Sequence, residues 1–170
     1  MNKLLPLILT LILALILAAC ATKGIPPPHH LPAVTQTETR WFKLSELSGQ
    51  GEPLQTTLLA VQPEQDNSWR WLQTDALGAP KARLRLDKNG WQNDGFIMPN
   101  PSAQQLFAAM LPLLLGDAAN IYPDLNIEQQ GSDTVYRRGG QTVWTQRRLG
   151  SQYLLIFPNR RVWQVESIAP

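Results

Sequence analysis

Few residues of this chain could do covalent or metal chemistry. Cys20 is its one cysteine, and His29 and His30 are its only histidines. The histidines are adjacent and stand among Pro26, Pro27, Pro28 and Pro32. Such a pair could begin a metal site, yet no further ligand stands near it at metal-ligand spacing. The plainer reading is a solvated linker. Everything beyond Pro32 lacks histidine, so a general base there would have to be a carboxylate. Asp66, Asp75, Asp94, Asp117 and Asp133 are scattered through turn-like sequence. A carboxylate pair joined by folding is the one catalytic arrangement left open. There is no Gly-x-Ser-x-Gly elbow, no phosphate loop and no His-Glu-x-x-His. The expectation is a protein that is not an enzyme, with no metal and no dissociable cofactor.

Cys20 itself has a clear context. Asn2 and Lys3 give a polar, positive start, and Leu4 to Ala19 is apolar apart from Pro6 and Thr10. A basic start, an apolar run and small residues before a cleavage point make a secretory signal. Leu17-Ala18-Ala19-Cys20 reads as a lipobox, in which the thiol is diacylated and residues 1–19 are removed. The alternative is an uncleaved anchor, but a spanning helix takes about 20 apolar residues and this run is shorter. Cutting after Ala19 leaves 151 of the 170 residues, enough for one domain with a sizeable core. Lys3 leaves with the signal, so 14 basic residues face 13 acidic ones. Nucleic acid is therefore not an expected partner, because phosphate binding needs concentrated positive charge. With its single thiol acylated, the chain has no internal disulfide and must rely on apolar burial.

Three segments follow: the signal at 1–19, a lipidated Pro-rich tether at 20–39 and a folded domain at 40–170. The prolines fix φ and remove donors, so the tether should be semi-extended, and a dozen residues at ~3.1 Å each would reach ~35–40 Å. From Arg40 the pattern turns to short runs of period two. Trp41–Leu47, Leu54–Gln62, Ser68–Thr74 and Lys81–Asp87 are expected strands, and Trp91 opens another after the Asn89-Gly90 turn. Asn126–Gln130, Thr134–Arg138, Thr142–Leu149, Gln152–Pro158 and Arg161–Ile168 resume the series. Between the two sets, Ala103–Leu115 is apolar on more than one helical face. Ser102 is the expected N-cap, Gly116 the C-cap, and Pro112 should kink or divide the helix. The fold class is mainly β (α+β): an antiparallel meander forming an unclosed barrel or curved half-barrel with a central helical lid.

Two groups of side chains are candidates for binding. Trp69 and Trp71 share a strand face, as do Leu84 and Leu86, and Leu106, Phe107, Met110, Leu111 and Leu114 line the helix. They either fill a core or line an apolar cavity able to take an acyl chain. Arg137-Arg138, Arg147-Arg148 and Arg160-Arg161 form the second group, with Glu166 the only acid after Asp133. They are either ordinary solvated strand ends or a basic rim for acidic headgroups or an acidic partner.

The anchored meander with a central helix resembles the LolA/LolB fold, an unclosed β-barrel under a helical lid that binds lipoprotein acyl chains. The most specific stretch is Trp69-Arg70-Trp71-Leu72-Gln73-Thr74-Asp75-Ala76-Leu77-Gly78. It is similar to the strand and protruding loop of LolB-like outer-membrane receptors. The resemblance implies that Leu77 enters the membrane; otherwise it is a turn leucine folded back on the core. The proline-rich tether and the very apolar lid depart from the family pattern. The chain also resembles a divergent uncharacterised lipoprotein family found near aryl-polyene synthesis genes. The resemblance implies outer-membrane anchoring on the periplasmic side, with which Ala21 after the cysteine is consistent. It further implies an acyl or lipidated cargo and a periplasmic LolA-like carrier. A structural or assembly lipoprotein holding a protein partner through its sheet edge or arginines is the alternative.

Overall fold

Period-two alternation is clearest in Trp69–Thr74, Pro80–Asp87 and Val162–Ile168, and these join the less regular segments in one sheet. In the computed structural model, which describes residues 24–31 and 38–168, ten strands form a single sheet. They are β1 (Arg40–Leu47), β2 (Pro53–Pro63), β3 (Trp69–Thr74), β4 (Pro80–Asp87), β5 (Gly90–Asn93), β6 (Asn126–Gln130), β7 (Asp133–Arg138), β8 (Gln141–Leu149), β9 (Gln152–Ile156) and β10 (Val162–Ile168). The order is β5-β4-β3-β2-β1-β10-β9-β8-β7-β6, with antiparallel neighbours throughout. β5 and β6 are its edges, so the sheet is not closed. The signal, the lipobox and Cys20 lie outside the described residues, and among those described no helix is long and apolar enough to cross a membrane.

Two meanders meet in the middle, where the first strand pairs with the last. Trp41 opposes Ile168 and Leu47 opposes Val162. This long-range pair joins β1–β5 to β6–β10. Antiparallel pairing also sorts the turns into two ends. The 48–52, 75–79, 139–140 and 157–161 connections share the end that carries Leu77. The 64–68, 88–89, 131–132 and 150–151 connections share the opposite end.

One helix, α1 (Pro101–Leu115), lies between the meanders in sequence and runs from one end to the other. Its N-cap is Asn100, whose side chain accepts from the Ala103 N–H at 3.1 Å. The helix therefore starts two residues before Ser102 would have begun it, because Pro101 suits the first helical turn. Asn100 Nδ2 also donates to the Lys81 carbonyl at the Leu77 end, and Arg40 donates to the Leu114 carbonyl at the other. Gly116, at φ +75°, closes the helix by donating to the Pro112 carbonyl.

Pro112 does not divide α1, contrary to expectation. A proline there leaves the carbonyl four residues back without a donor. That carbonyl belongs to Ala108, and the Tyr122 hydroxyl donates to it at 2.7 Å. Tyr122 follows a short second helix, α2 (Ala118–Ile121), which folds its ring under α1.

The proline stretch is a second correction. Gly24–Leu31 has no regular structure but packs against the domain. Pro26 and Pro28 are buried, and Ile25 and Leu31 touch the core. The Gly24 carbonyl accepts from Arg138, and the His29 N–H donates to the Ile121 carbonyl at 2.9 Å. The segment thus runs beside α1 from the Leu77 end to the other. Seven steps of extended chain cover ~22 Å, the same as fifteen helical residues. It is a strap across the fold, and the expected ~35–40 Å free reach is not available from it.

Candidate functional site

The apolar candidates converge in one place. Trp69, Trp71, Leu84 and Leu86 occupy the buried face of β3 and β4, each paired across the two strands. Trp69 lies opposite Leu86 and Trp71 opposite Leu84. Leu106, Phe107, Met110 and Leu111 descend onto them from α1, wholly buried, while Leu114 is only half covered near the helix end. The Trp71 and Phe107 rings stack with centroids 5.2 Å apart, and Trp91 meets Trp71 edge-on at 5.3 Å. These residues form the core of the first meander.

The second meander supplies a matching aromatic group that the sequence reading missed. Tyr136 on β7 and Trp144 on β8 stack at 4.8 Å, and Tyr122 meets Trp144 edge-on at 5.5 Å. The Tyr136 hydroxyl reaches Gln146 at 3.3 Å. Burial pushes the Tyr136 phenol up to about 12, and burial together with the neighbouring Tyr136 pushes Tyr122 further up. Both phenols are neutral at any physiological pH. Tyr136 and Trp144 stand eight apart on neighbouring strands, with Arg137, Arg138 and a Gly-Gly turn between them, so no simple period marks the group.

The indole nitrogens of this core are singular. Nε1 of Trp69, Trp71, Trp91 and Trp144 is buried with no hydrogen-bond partner among the described residues. A buried donor without an acceptor costs about 1–3 kcal/mol.

Leu77 is held outward. The Asp75 carboxylate accepts from the Leu77 and Ala79 N–H groups at 2.9 Å each, and Gly78 N–H donates to the Asp75 carbonyl. Gly78 takes φ +83°, which an L side chain rarely adopts. The leucine that this turn presents is 95% exposed. It does not fold back on the core.

The six arginines do not form one rim. Arg137, Arg138, Arg160 and Arg161 lie at the Leu77 end, and Arg147 and Arg148 at the other. Most are engaged within the chain. Arg147 makes a two-pronged contact with Asp133 at 2.6 and 2.7 Å, holding that carboxyl below its usual range. Arg161 pairs with Glu46 at 2.6 Å and lies over the Trp163 ring. Arg137 faces Glu128 at 3.7 Å, Arg138 holds Gly24, and Arg148 bonds the Gly150 carbonyl. Glu128 and Asp133 stand just before the arginine run and Glu46 is 115 residues from Arg161, so the chain after Asp133 holds Glu166 alone.

A further charged group lies on the outer face of β3 and β4. Asp94 receives both Arg70 Nε and Arg83 Nε at 2.9 Å. Glu64 receives Arg70 at 2.9 Å and Arg85 at 3.4 Å, and Arg85 also meets Asp66. Among the described residues no cluster of three or more His, Cys, Asp or Glu has metal-binding geometry. The chain matches no protein-family model, and no curated protein is significantly similar to it.

Proposed function

We propose that this chain is a lipoprotein anchored through Cys20 to the periplasmic face of the outer membrane, where it binds the acyl chains of a lipidated cargo. Its domain acts as a LolB-like curved sheet with α1 as the lid. The sheet order supports the curvature. β3 and β8 are five strand steps apart, ~24 Å in a flat sheet. Yet Trp71 of β3 stacks on Phe107, and Trp144 of β8 reaches the adjoining Ala108 through the single ring of Tyr122. A sheet bent around α1 brings both sides that close.

The observation that carries the reading is the core itself: large apolar side chains beside buried indole donors with no protein acceptor, its buried polar groups Gln73 and Thr57 bonded to each other toward the Leu77 end. An acyl chain replaces the contacts of Leu106, Phe107, Met110 and Leu111 like for like, at about 0.8 kcal/mol for each buried methylene. Its ester or carboxyl oxygen supplies an acceptor for an indole. The direct polar ties from α1 to the sheet are at the helix ends, and its middle is held by apolar contacts and by the one Tyr122–Ala108 hydrogen bond, which lifting the lid would break. No covalent step is required, and release needs only a better apolar site in the membrane.

Native mass spectrometry on the chain purified from membranes tests this, paired with displacement of a fluorescent fatty acid. The reading expects a retained diacyl mass or a saturable, competed probe. A chain that carries no lipid mass beyond its own anchor, and that does not take up the probe, sinks it.

A further inference from the structure

The three most exposed large apolar side chains in the described residues are Phe96 (110%), Leu77 (95%) and Met98 (83%). They belong to two loops with one location. β5 ends at Asn93, opposite Leu84, and the chain then runs back along the first residues of β4. Asp94 N–H donates to the Arg83 carbonyl at 3.1 Å, and Asn100 Nδ2 donates to the Lys81 carbonyl at 3.3 Å. Gly95 to Pro99 therefore lies beside Pro80–Arg83, which leads directly out of the Leu77 turn. The loop is built, not slack. Asn93 Nδ2 donates to the Gly95 and Ile97 carbonyls, and the Asp94 carboxylate is clamped by Arg70 and Arg83.

The strap ends at this same place. Gly24 lines one open cleft with Pro101, Ser102 and Gln105 of the first turns of α1, and its carbonyl accepts from Arg138 at the same end. Four residue steps separate Gly24 from Cys20, so the Cα of the acylated cysteine can stand no more than about 14 Å from that of Gly24. The acids of both loops are turned into the protein, Asp75 onto its own turn and Asp94 onto two arginines. The exposed charge between the loops is Lys81, which suits an anionic headgroup layer. The half-exposed Trp41 and Ile168 are cross-strand partners at the opposite end.

We infer that Phe96 and Met98 form, with Leu77, a two-loop membrane-seating surface, and that the docked strap brings the anchor to the same bilayer. This rests on the anchoring proposed above and adds a second inserting loop to it. The strap fixes which end of the domain faces the lipid. The partner is a phospholipid bilayer.

The test uses the full lipidated chain reconstituted in vesicles of phosphatidylethanolamine and phosphatidylglycerol. Single cysteines at Leu77→Cys, Phe96→Cys and Met98→Cys carry an environment-sensitive fluorophore, with Ser151→Cys at the opposite end as reference. Emission at 77, 96 and 98 should shift to the blue and be quenched by spin-labelled lipid, and emission at 151 should stay aqueous. Aqueous emission at 96 and 98 with bilayer emission at 77 overturns the second loop and leaves the anchored receptor standing. Aqueous emission at all three positions overturns the membrane-facing end altogether. Asp94→Asn, which loosens the clamp without touching either loop's apolar residues, should reduce quenching at 96 more than at 77. A reduction at 96 no larger than that at 77 in that variant would contradict the positioning argument.

Discussion

Pro112 removes one helical hydrogen bond, and Tyr122 returns it from fourteen residues away. Tyr122→Phe should therefore cost about 1–3 kcal/mol, the price of a buried carbonyl left bare. Pro112→Ala in that background restores an N–H four residues from Ala108, so the double variant should be more stable than the two single effects predict. Strict additivity in urea melts would refute the exchange. The Glu46–Arg161 pair makes a second prediction at this scale. The Arg161 hydrogen bond, reinforced by Gln55, holds the Glu46 carboxyl below its ordinary 4.5. Its folded value lies below its unfolded one, so its stabilisation is complete above about 4.5 and lost as pH falls through the folded value. Arg161→Met should lower stability at neutral pH and flatten the acid limb of the stability profile. An unchanged acid limb would show that the pair contributes nothing there. Such pairings were not legible in the sequence, because Glu46 and Arg161 are 115 residues apart.

At the scale of elements, alternation was informative and composition was not. Ala82, Leu84 and Leu86 alternate with Lys81, Arg83 and Arg85, and that strand lies where the period places it. The lid was legible from its apolar run, but its start and continuity were not. Each depended on a partner supplied by folding, Lys81 for Asn100 and Tyr122 for Ala108. The strap was misread for a related reason. Proline excludes regular structure, yet it packs as well as any small apolar residue, and no period records the packing. Ile25→Ser with Pro26→Gly should free the strap. Exchange at the His29 N–H should accelerate and protease should cut between 24 and 31, for about 1 kcal/mol of domain stability. Protection equal to the unaltered chain would mean that Arg138 and Ile121 hold the segment without its apolar contacts.

The whole molecule has an axis, set by antiparallel pairing and shared by α1 and the strap. One end gathers Leu77, Phe96, Met98 and the Gly24 end of the strap. Between the ends lies a largely apolar core in which four indole N–H groups have no protein acceptor among the described residues. That polarity suits a receptor that takes a lipid from solution and surrenders it at the bilayer it stands on. The Leu77 end was partly legible through its turn; Phe96 and Met98 were not, because an exposed apolar loop between Gly95 and Pro99 has no periodicity to betray it. The central claim is that acyl chains enter beneath α1. Titrating the chain with a diacylated lipopeptide bearing brominated acyl chains, and following tryptophan emission, tests it most directly. The account predicts saturable quenching of the buried tryptophans, reversed by the same lipopeptide without bromine. Emission that does not change, or quenching that neither saturates nor reverses, would contradict it.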